Sequence, residues 1–342
     1  MSVPLRLRIP DLLANWPWPR TINPNYAACR QESQAWCSSF NIIPPRAQKV
    51  LNLCDPSLLG ALAYPTVNYE QCRVVCDLFH VYGIFDDSSD AMDPTAIQAW
   101  VDIIMDALRN PYSLRPSGEP VIGEFIRSFW SNAVKVISTS AQQRFIDEFD
   151  RYTKAVVEQA CTRDPLVLHD LESYMALRRG NVGAQPAFAL LCMETDIAED
   201  IYKNDALLAL RRYAVDILCI ANDLYSFNIE QAKGDDHNLV TLMVLHKSMN
   251  VQQAIDYVST LHERLVTQFL SISQGLPSFG SPEVDDLVRS YVDALGFWIR
   301  ANDCWSFESW RYFKDDGPRI QKERVVDLLP RRSELPTIIS AV

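Results

Sequence analysis

The sequence predicts an all-α protein built as one domain. A helical pattern of apolar residues continues along most of the chain from Asn25 onward, and no apolar-polar alternation lasts long enough to indicate a strand. Glycine accounts for only 11 of the 342 residues, which disfavours a fold with many strands and tight turns. We therefore expect about ten helices or more, with the central ones apolar on most sides. No linker-like stretch divides residues 1–342, so the whole chain is predicted to be a single domain.

The predicted elements follow one another with short breaks. Residues 1–24 are rich in proline and are expected to be irregular. Pro94 is expected to begin a helix, because the first helical position does not need its missing N–H. Residues 180–183 interrupt the helical pattern, and residues 313–342 are predicted to form a C-terminal tail. The other helices are expected at residues 67–86, 119–161 (as one or two helices), 169–179, 186–193, 205–230, 251–272 and 283–305.

Charge and cysteine content exclude several classes of function. The formal net charge of -11 disfavours nucleic acid and anionic membrane surfaces as partners. No apolar run approaches the roughly 18 residues of a membrane span, so no stable membrane insertion is expected. The first 20 residues lack the continuous apolar stretch of a secretory signal. The nine cysteines include no C-x-x-C pair and are predicted to be buried free thiols, which indicates a reducing, cytoplasmic location.

An acidic motif, DDSSD, occupies residues 86–90. It directly follows the apolar and aromatic stretch FHVYGIF at residues 79–85. A solvated acidic helix end would also fit this composition. Because aspartates at the end of an aromatic helix are better placed to line the rim of a pocket, we interpret Asp86 and Asp90 as candidate ligands of Mg²⁺.

A second motif, NDLYSFNIE, occupies residues 222–230. Asn222, Ser226 and Glu230 lie at i, i+4 and i+8, so their side chains are expected on one face of a helix. An amide oxygen, a hydroxyl and a carboxylate are hard oxygen donors of the kind that Mg²⁺ prefers. The alternative is a helix with three exposed polar residues, but residues 214–221 before the motif are almost wholly apolar. The two motifs together predict two half-sites for a phosphate-bearing substrate.

These motifs and several others resemble those of class I terpene synthases, most closely the fungal, basidiomycete-type sesquiterpene synthases. The resemblance covers nearly the whole chain. It rests on WPWPR at residues 16–20 with NP at 23–24, DDSSD at 86–90, YMALRR at 174–179 followed by Gly183, NDLYSFNIE at 222–230, KGD at 233–235, and WSF at 305–307 leading to RY at 311–312.

The resemblance implies a helical bundle around a central active-site cavity and a Mg²⁺-dependent lyase. In such enzymes the first motif binds two Mg²⁺ ions, mainly through the residue matching Asp86, and the triad matching Asn222, Ser226 and Glu230 binds a third. The ions hold the diphosphate of a prenyl substrate, here expected to be farnesyl diphosphate. Its departure yields an allylic cation that becomes a sesquiterpene hydrocarbon or alcohol. A monomer or a homodimer is expected.

Basic and backbone groups near the diphosphate are implied in the same way. We favour Arg179 as the residue that senses the diphosphate, Val182 as the linker and Gly183 as the effector position, with Arg178 as an alternative sensor. Arg311 and Tyr312 match a pair that hydrogen-bonds the diphosphate when the pocket closes. Closure would exclude water, which carbocation chemistry requires.

The hydrocarbon end of such a substrate needs walls that stabilise a cation without reacting with it. Aromatic faces do this through their quadrupoles, at roughly 0.5–2 kcal/mol each. Phe79 and Tyr82 precede Asp86 by seven and four residues and should share its helix face. Trp305 is a further candidate, although any one of these aromatic residues, taken alone, would more often belong to the ordinary core.

One position departs from the family pattern. Many relatives carry Lys immediately before the Glu of the second motif, where it contacts the diphosphate, whereas this chain carries Ile229. Either that contact is missing here or another base such as Lys233 replaces it. The metal triad is intact, so the departure does not predict an inactive enzyme.

Other functions remain open from the sequence alone. A chain-elongating prenyltransferase shares the fold, but it would carry a second D-D-x-x-D in place of the second motif. A terpene synthase could also release a linear alcohol of the nerolidol or linalool type from farnesyl or geranyl diphosphate. A non-catalytic helical scaffold would have no reason to align three Mg²⁺ ligands beside an aromatic wall.

Overall fold

Fifteen α-helices and two short strands occur in the computed structural model, which describes residues 5–161, 170–193 and 197–331. The strands are β1 (Arg6–Arg8) and β2 (Val325–Asp327). The helices are α1 (Tyr26–Ser39), α2 (Pro45–Cys54), α3 (Pro56–Ala63), α4 (Tyr69–Ser89), α5 (Pro94–Arg109), α6 (Ile122–Ala133), α7 (Thr139–Cys161), α8 (Leu171–Asn181), α9 (Ala184–Ala189), α10 (Glu199–Tyr202), α11 (Asp205–Lys233), α12 (Leu239–Lys247), α13 (Val251–Gln274), α14 (Pro282–Glu308) and α15 (Gly317–Glu323).

The predicted all-α class is confirmed. Residues 119–161 form the two helices α6 and α7, and the helix expected from residue 169 begins at Leu171, residue 169 itself lying outside the described part. Helices α12 and α15 are not predicted from the sequence. They have nine and seven residues, too few for helical periodicity to stand out from chance.

Side-chain caps determine where the helices of the site begin. Asn68 and Gln71 form a reciprocal capping box at the start of α4. Asp93 accepts hydrogen bonds from two backbone N–H groups before Pro94 begins α5. Asp170 caps α8 in the same way. These local signals fix the ends of the helices and therefore the positions of the motifs on them.

Helix α11 is the central element of the bundle. Residues 214–221 are all buried, and the helix packs against α8, α9, α12, α13 and α14. Full burial of a Leu or Ile side chain contributes about 1.5–3 kcal/mol, so this stretch anchors the helix firmly. The second motif begins at Asn222, directly after the stretch.

Short segments near the two ends of the described chain pair with each other, within regions that the sequence predicts as an irregular N-terminal segment and a C-terminal tail. Strands β1 and β2 pair antiparallel with Leu7 opposite Val326. The indole N–H of Trp16 donates to the carbonyl of Gly296 on α14 at 3.0 Å. A Cβ at Gly296 would come within 2.2 Å of the Trp18 ring, so only glycine permits this close approach. Strands of three residues are too short to show alternation in the sequence.

Eight of the nine cysteines are buried free thiols, as predicted, and Cys161 is exposed. Among the described residues, no helix combines the length and the apolar composition of a membrane span.

Candidate active site

A cavity of about 170 Å³ opens between α2, α3, α4, α11, α14 and the break between α8 and α9. Ligand pockets commonly measure about 300–1,000 Å³, so a long ligand must displace side chains of the wall or mouth. The cavity is lined by Leu51, Cys54, Pro56, Leu59, Phe79, Tyr82, Gly83, Asp86, Tyr152, Asn181, Val182, Gly183, Ala184, Leu218, Asn222, Trp298, Asn302, Trp305, Arg311 and Tyr312.

Helix α4 supplies both a wall and part of the rim. Phe79, Tyr82 and Asp86 lie at i, i+3 and i+7 and all line the cavity, as expected for one helix face. The Phe79 and Tyr82 rings meet edge to face with centroids 5.8 Å apart. Burial raises the pKa of the Tyr82 phenol well above its ordinary value, so the group stays neutral. The wall is therefore aromatic and uncharged up to the acidic motif.

Arg311 closes over the aspartates at the rim. Its guanidinium lies 3.3 Å from Asp86 Oδ2 and 3.6 Å from Asp87 Oδ1. Burial raises the pKa of Asp87 above its usual range, while the charges of Arg311 and Lys233 oppose the rise. Lys233 is exposed and lies near enough to act on this carboxylate. Asp87, which the sequence analysis does not single out, thus belongs to the same acidic rim.

Asp90 lies one helical turn beyond Asp86 and caps the C-terminus of α4. Burial raises the pKa of Tyr152 on α7, and the charges of Asp86 and Asp90 raise it further. Both carboxylates therefore lie near enough to act on Tyr152, which itself lines the cavity.

The second motif faces the same mouth from α11. Asn222 lines the cavity, and its amide Nδ2 donates to the Tyr312 hydroxyl at 2.6 Å. Since the neighbouring Arg311 contacts Asp86 and Asp87, two consecutive residues connect the two acidic motifs. The structure thus brings together the motifs that the sequence analysis places 132 positions apart, from Asp90 to Asn222.

Ser226 and Glu230 continue along α11 from Asn222, and both are held by Asn238. The Asn238 amide donates to Glu230 Oε2 at 2.8 Å and lies 3.5 Å from Ser226 Oγ. Burial raises the pKa of Glu230 to about 7, because its effect exceeds that of the hydrogen bond from Asn238, which lowers the pKa. Asn238 is missed by the sequence analysis, although an Asn directly before the apolar Leu239 is a typical helix cap.

The two adjacent arginines of α8 have different surroundings. Arg178 Nη2 donates to Asn222 Oδ1 at 2.8 Å and to the buried Asp223 at 3.0 Å. Arg179 forms a bidentate ion pair with Asp216, at 2.6 and 3.0 Å, and Asp216 lies six residues before Asn222 on α11. Arg178, which the sequence offers as the alternative sensor, therefore contacts the triad at Asn222. Arg179, the favoured candidate, instead pairs with Asp216, which is not a member of the triad.

The break between α8 and α9 lies at the cavity wall, where Val182 and Gly183 both line it. Gly183 adopts φ 73°, ψ 6°, a left-handed conformation that costs other L-residues roughly 1–2 kcal/mol. A Cβ there would lie 3.6 Å from the Tyr82 and Tyr152 rings, which is ordinary contact. The backbone conformation, rather than crowding, is the reason for glycine at this position.

Trp305 lines the cavity from α14, and its indole N–H donates to the carbonyls of Cys54 and Asp55 at 2.8 and 3.0 Å. Trp298 lines the cavity as well, and the centroid of its ring lies 5.9 Å from that of Phe79. Trp298 is not among the residues predicted from the sequence, although its spacing of seven residues from Trp305 places both on one helix face. Tyr152 is not predicted either, because no sequence signal connects it to the site.

The oxygen donors present fit a hard divalent cation. Asn222, Ser226 and Glu230 follow one another along one helix, and the penalty for burying the Glu230 carboxylate is one that a bound cation would relieve. Within residues 5–161, 170–193 and 197–331, no three His, Cys, Asp or Glu side chains converge into a closed metal cage. A cation at this mouth would complete its coordination with water or substrate oxygens, as Mg²⁺ usually does.

A family model described as "Terpene synthase family 2, C-terminal metal binding" matches residues 77–268, which include both acidic motifs. A Delta(6)-protoilludene synthase of Cyclocybe aegerita is 48% identical over 326 residues, covering 95% of this chain. The chain spans only 49% of that relative. A Delta(6)-protoilludene synthase of Stereum hirsutum is 41% identical over 326 residues, covering 95% of this chain and 88% of its own length.

Among solved structures, a hedycaryol synthase in complex with HEPES superposes with a TM-score of 0.76. It covers 87% of this chain and 98% of its own, at 19% sequence identity. This likeness shows that the all-helical architecture is shared.

Proposed function

Because the chain belongs to the class I terpene synthases, as a member of the basidiomycete type, we propose that it is a Mg²⁺-dependent sesquiterpene synthase acting on farnesyl diphosphate. One observation carries the proposal. The consecutive residues Arg311 and Tyr312 contact the two acidic motifs, at Asp86 and Asn222, over the mouth of an aromatic cavity. Such a site can hold a diphosphate at the rim and a hydrocarbon chain inside.

The mouth is suited to ionising the substrate. Asp86 and Asp90 on one side, and Asn222, Ser226 and Glu230 on the other, would hold three Mg²⁺ ions. Bound Mg²⁺ neutralises the charge that develops on a departing diphosphate. Fixed donors aimed at that charge add to the effect because they need no reorganisation during the reaction.

Three side chains supply those donors. Arg178 and Arg311 are cationic and Tyr312 is a neutral hydroxyl whose pKa burial raises to about 12. We propose Arg178 rather than Arg179 as the diphosphate sensor, because Arg178 touches Asn222. Val182 and Gly183 are proposed as linker and effector, with the backbone turn presenting its carbonyls to the cavity.

The interior is suited to the allylic cation. The aromatic residues Phe79, Tyr82, Tyr152, Trp298 and Trp305 line it, and each aromatic face contributes roughly 0.5–2 kcal/mol to a desolvated cation. Aliphatic residues such as Leu59 and Leu218 line it as well, together with the polar side chains of Cys54 and Asn302. Because aromatic and aliphatic side chains form most of this wall, we propose a hydrocarbon product rather than an alcohol.

The names of the relatives suggest the product. Both the Cyclocybe and the Stereum proteins are named Delta(6)-protoilludene synthases. We therefore propose Δ6-protoilludene as the main product of this chain, formed by cyclisation and loss of a proton.

Incubation of the purified chain with farnesyl diphosphate and Mg²⁺ is expected to give Δ6-protoilludene, identified by gas chromatography and mass spectrometry against a reference compound. Chelation of Mg²⁺ should stop turnover, and added Mg²⁺ should restore it. Geranyl and geranylgeranyl diphosphate serve as chain-length comparisons. A linear alcohol or another sesquiterpene would overturn the product proposal alone, whereas a longer prenyl diphosphate or no turnover would overturn the function.

The basic residue at position 233 is expected to compensate for Ile229. Lys233 is exposed and its charge reaches Asp87, whereas Ile229 packs half-buried against the core. Lys233→Ala should raise KM by about two- to fivefold, since exposed charge interactions contribute about 0.2–1 kcal/mol. Lys203→Ala is the control, because Lys203 pairs with Glu199 on α10 outside the cavity. An unchanged KM in Lys233→Ala, together with unchanged Mg²⁺ dependence in Ile229→Lys, would show that this departure from the family pattern has no effect.

A further inference from the structure

Asn238 connects the loop after α11 to two residues of the metal triad. Its side chain is 1% exposed. The amide nitrogen donates to Glu230 Oε2 and to the Asp223 carbonyl, both at 2.8 Å, and lies 3.5 Å from Ser226 Oγ. The amide oxygen accepts from the Val240 N–H at 2.8 Å and so begins α12. Every polar atom of the side chain is therefore engaged.

The neutral amide suits this place better than other polar groups. A carboxylate held at one oxygen keeps its orientation while the other oxygen stays free for a ligand. A cationic donor at position 238 would compete with a metal ion for the charge of Glu230, whereas an amide does not. An aspartate would still cap α12, but it would offer no donor and would repel Glu230.

From these contacts we infer that Asn238 is a positioning residue that orients Glu230 and Ser226 for Mg²⁺. The inference rests on the proposed function of the triad. Partners behind a metal ligand set its direction, and their loss typically weakens metal affinity by about 10–100-fold. Asn238 thereby couples the path of the chain between α11 and α12 to the metal-binding face of α11.

The two roles of Asn238 can be separated by Asn238→Ser. Serine retains an oxygen that can cap α12, but its side chain is too short to donate to Glu230. Asn204→Ser is the matched control, because Asn204 caps α11 by accepting from the Ala206 N–H at 2.9 Å and contacts no metal ligand.

The measurement is the stabilisation of the full chain against heat by Mg²⁺ at a fixed concentration of inorganic diphosphate. The Mg²⁺ concentration that raises the melting temperature by a fixed amount reports affinity without turnover. In Asn238→Ser we expect it to rise about 10–100-fold, while Asn204→Ser stays at the wild-type value. Without Mg²⁺, Asn238→Ser should melt at a lower temperature than Asn204→Ser, because the buried Asp223 carbonyl and Glu230 lose their donor. Each variant is therefore compared with its own melting temperature in the absence of Mg²⁺.

Two outcomes would overturn the inference. If Asn238→Ser has the Mg²⁺ affinity of the wild type, the residue only caps α12. If the wild-type chain itself is not stabilised by Mg²⁺ and diphosphate, the proposed function fails and the inference fails with it. The wild-type titration distinguishes these two cases.

Discussion

Asn222→Ala is expected to abolish turnover of farnesyl diphosphate while leaving the fold intact. The change removes the first ligand of the proposed triad and the donor to Tyr312. Loss of metal-ion stabilisation costs several kcal/mol in the transition state, and each 1.4 kcal/mol is about tenfold, so the rate should fall by about a thousandfold or more. The measurement is kcat/KM, with the far-ultraviolet circular dichroism spectrum recorded to show that the helices remain.

Asn228→Ala is the matched control on the same helix. Asn228 is buried and bonds to the backbone of Asp327 and Leu329 near the C-terminal strand. Its loss should reduce the free energy of unfolding by about 1–3 kcal/mol but preserve the chemistry. Asp86→Ala should behave like Asn222→Ala. Near-normal turnover in either of the two site variants would contradict the metal assignment.

Arg178→Lys is expected to reduce kcat/KM by about 10²–10³-fold, the usual effect of removing one oriented donor from an anion-stabilising site. Lysine keeps the positive charge opposite the buried Asp223, so the fold should survive. It cannot reproduce the planar fork by which Arg178 reaches Asn222, Asp223 and Asn181 together. Alanine is avoided here, because an unpaired buried Asp223 would cost about 3–5 kcal/mol of stability.

Arg179→Lys provides the comparison at the adjacent position. It loses the two-pronged contact to Asp216, which should lower the free energy of unfolding by about 1–3 kcal/mol. Its kcat/KM should stay within a few-fold of the wild type. A larger loss of turnover in Arg179→Lys than in Arg178→Lys would assign the diphosphate sensor to Arg179 instead.

The helices and motifs could be predicted from the sequence because their signals are local. The spacing of Asn222, Ser226 and Glu230 on one helix face follows from 3.6 residues per turn alone. In the same way, the spacing of Phe79 and Asp86 gives one face of α4. Asn238 and Tyr152 could not be predicted, since each reaches the site from a different element.

The choice between Arg178 and Arg179 shows where sequence reasoning ends. Both lie at the end of α8, and one residue changes the direction of a helical side chain by about 100°. The direction that faces Asn222 depends on how α8 packs against α11, which no spacing within α8 specifies.

By itself, the sequence determined the helical class, the face of each motif and the resemblance that links them to prenyl diphosphate chemistry. These depend on periodicity within single helices. Only the tertiary structure decided that Arg311 and Tyr312 span the two motifs, that Arg178 meets Asn222, and that Asn238 holds Glu230. Each of these contacts joins residues from different helices or loops, so it exists only once the packing of the bundle has fixed their separation and direction.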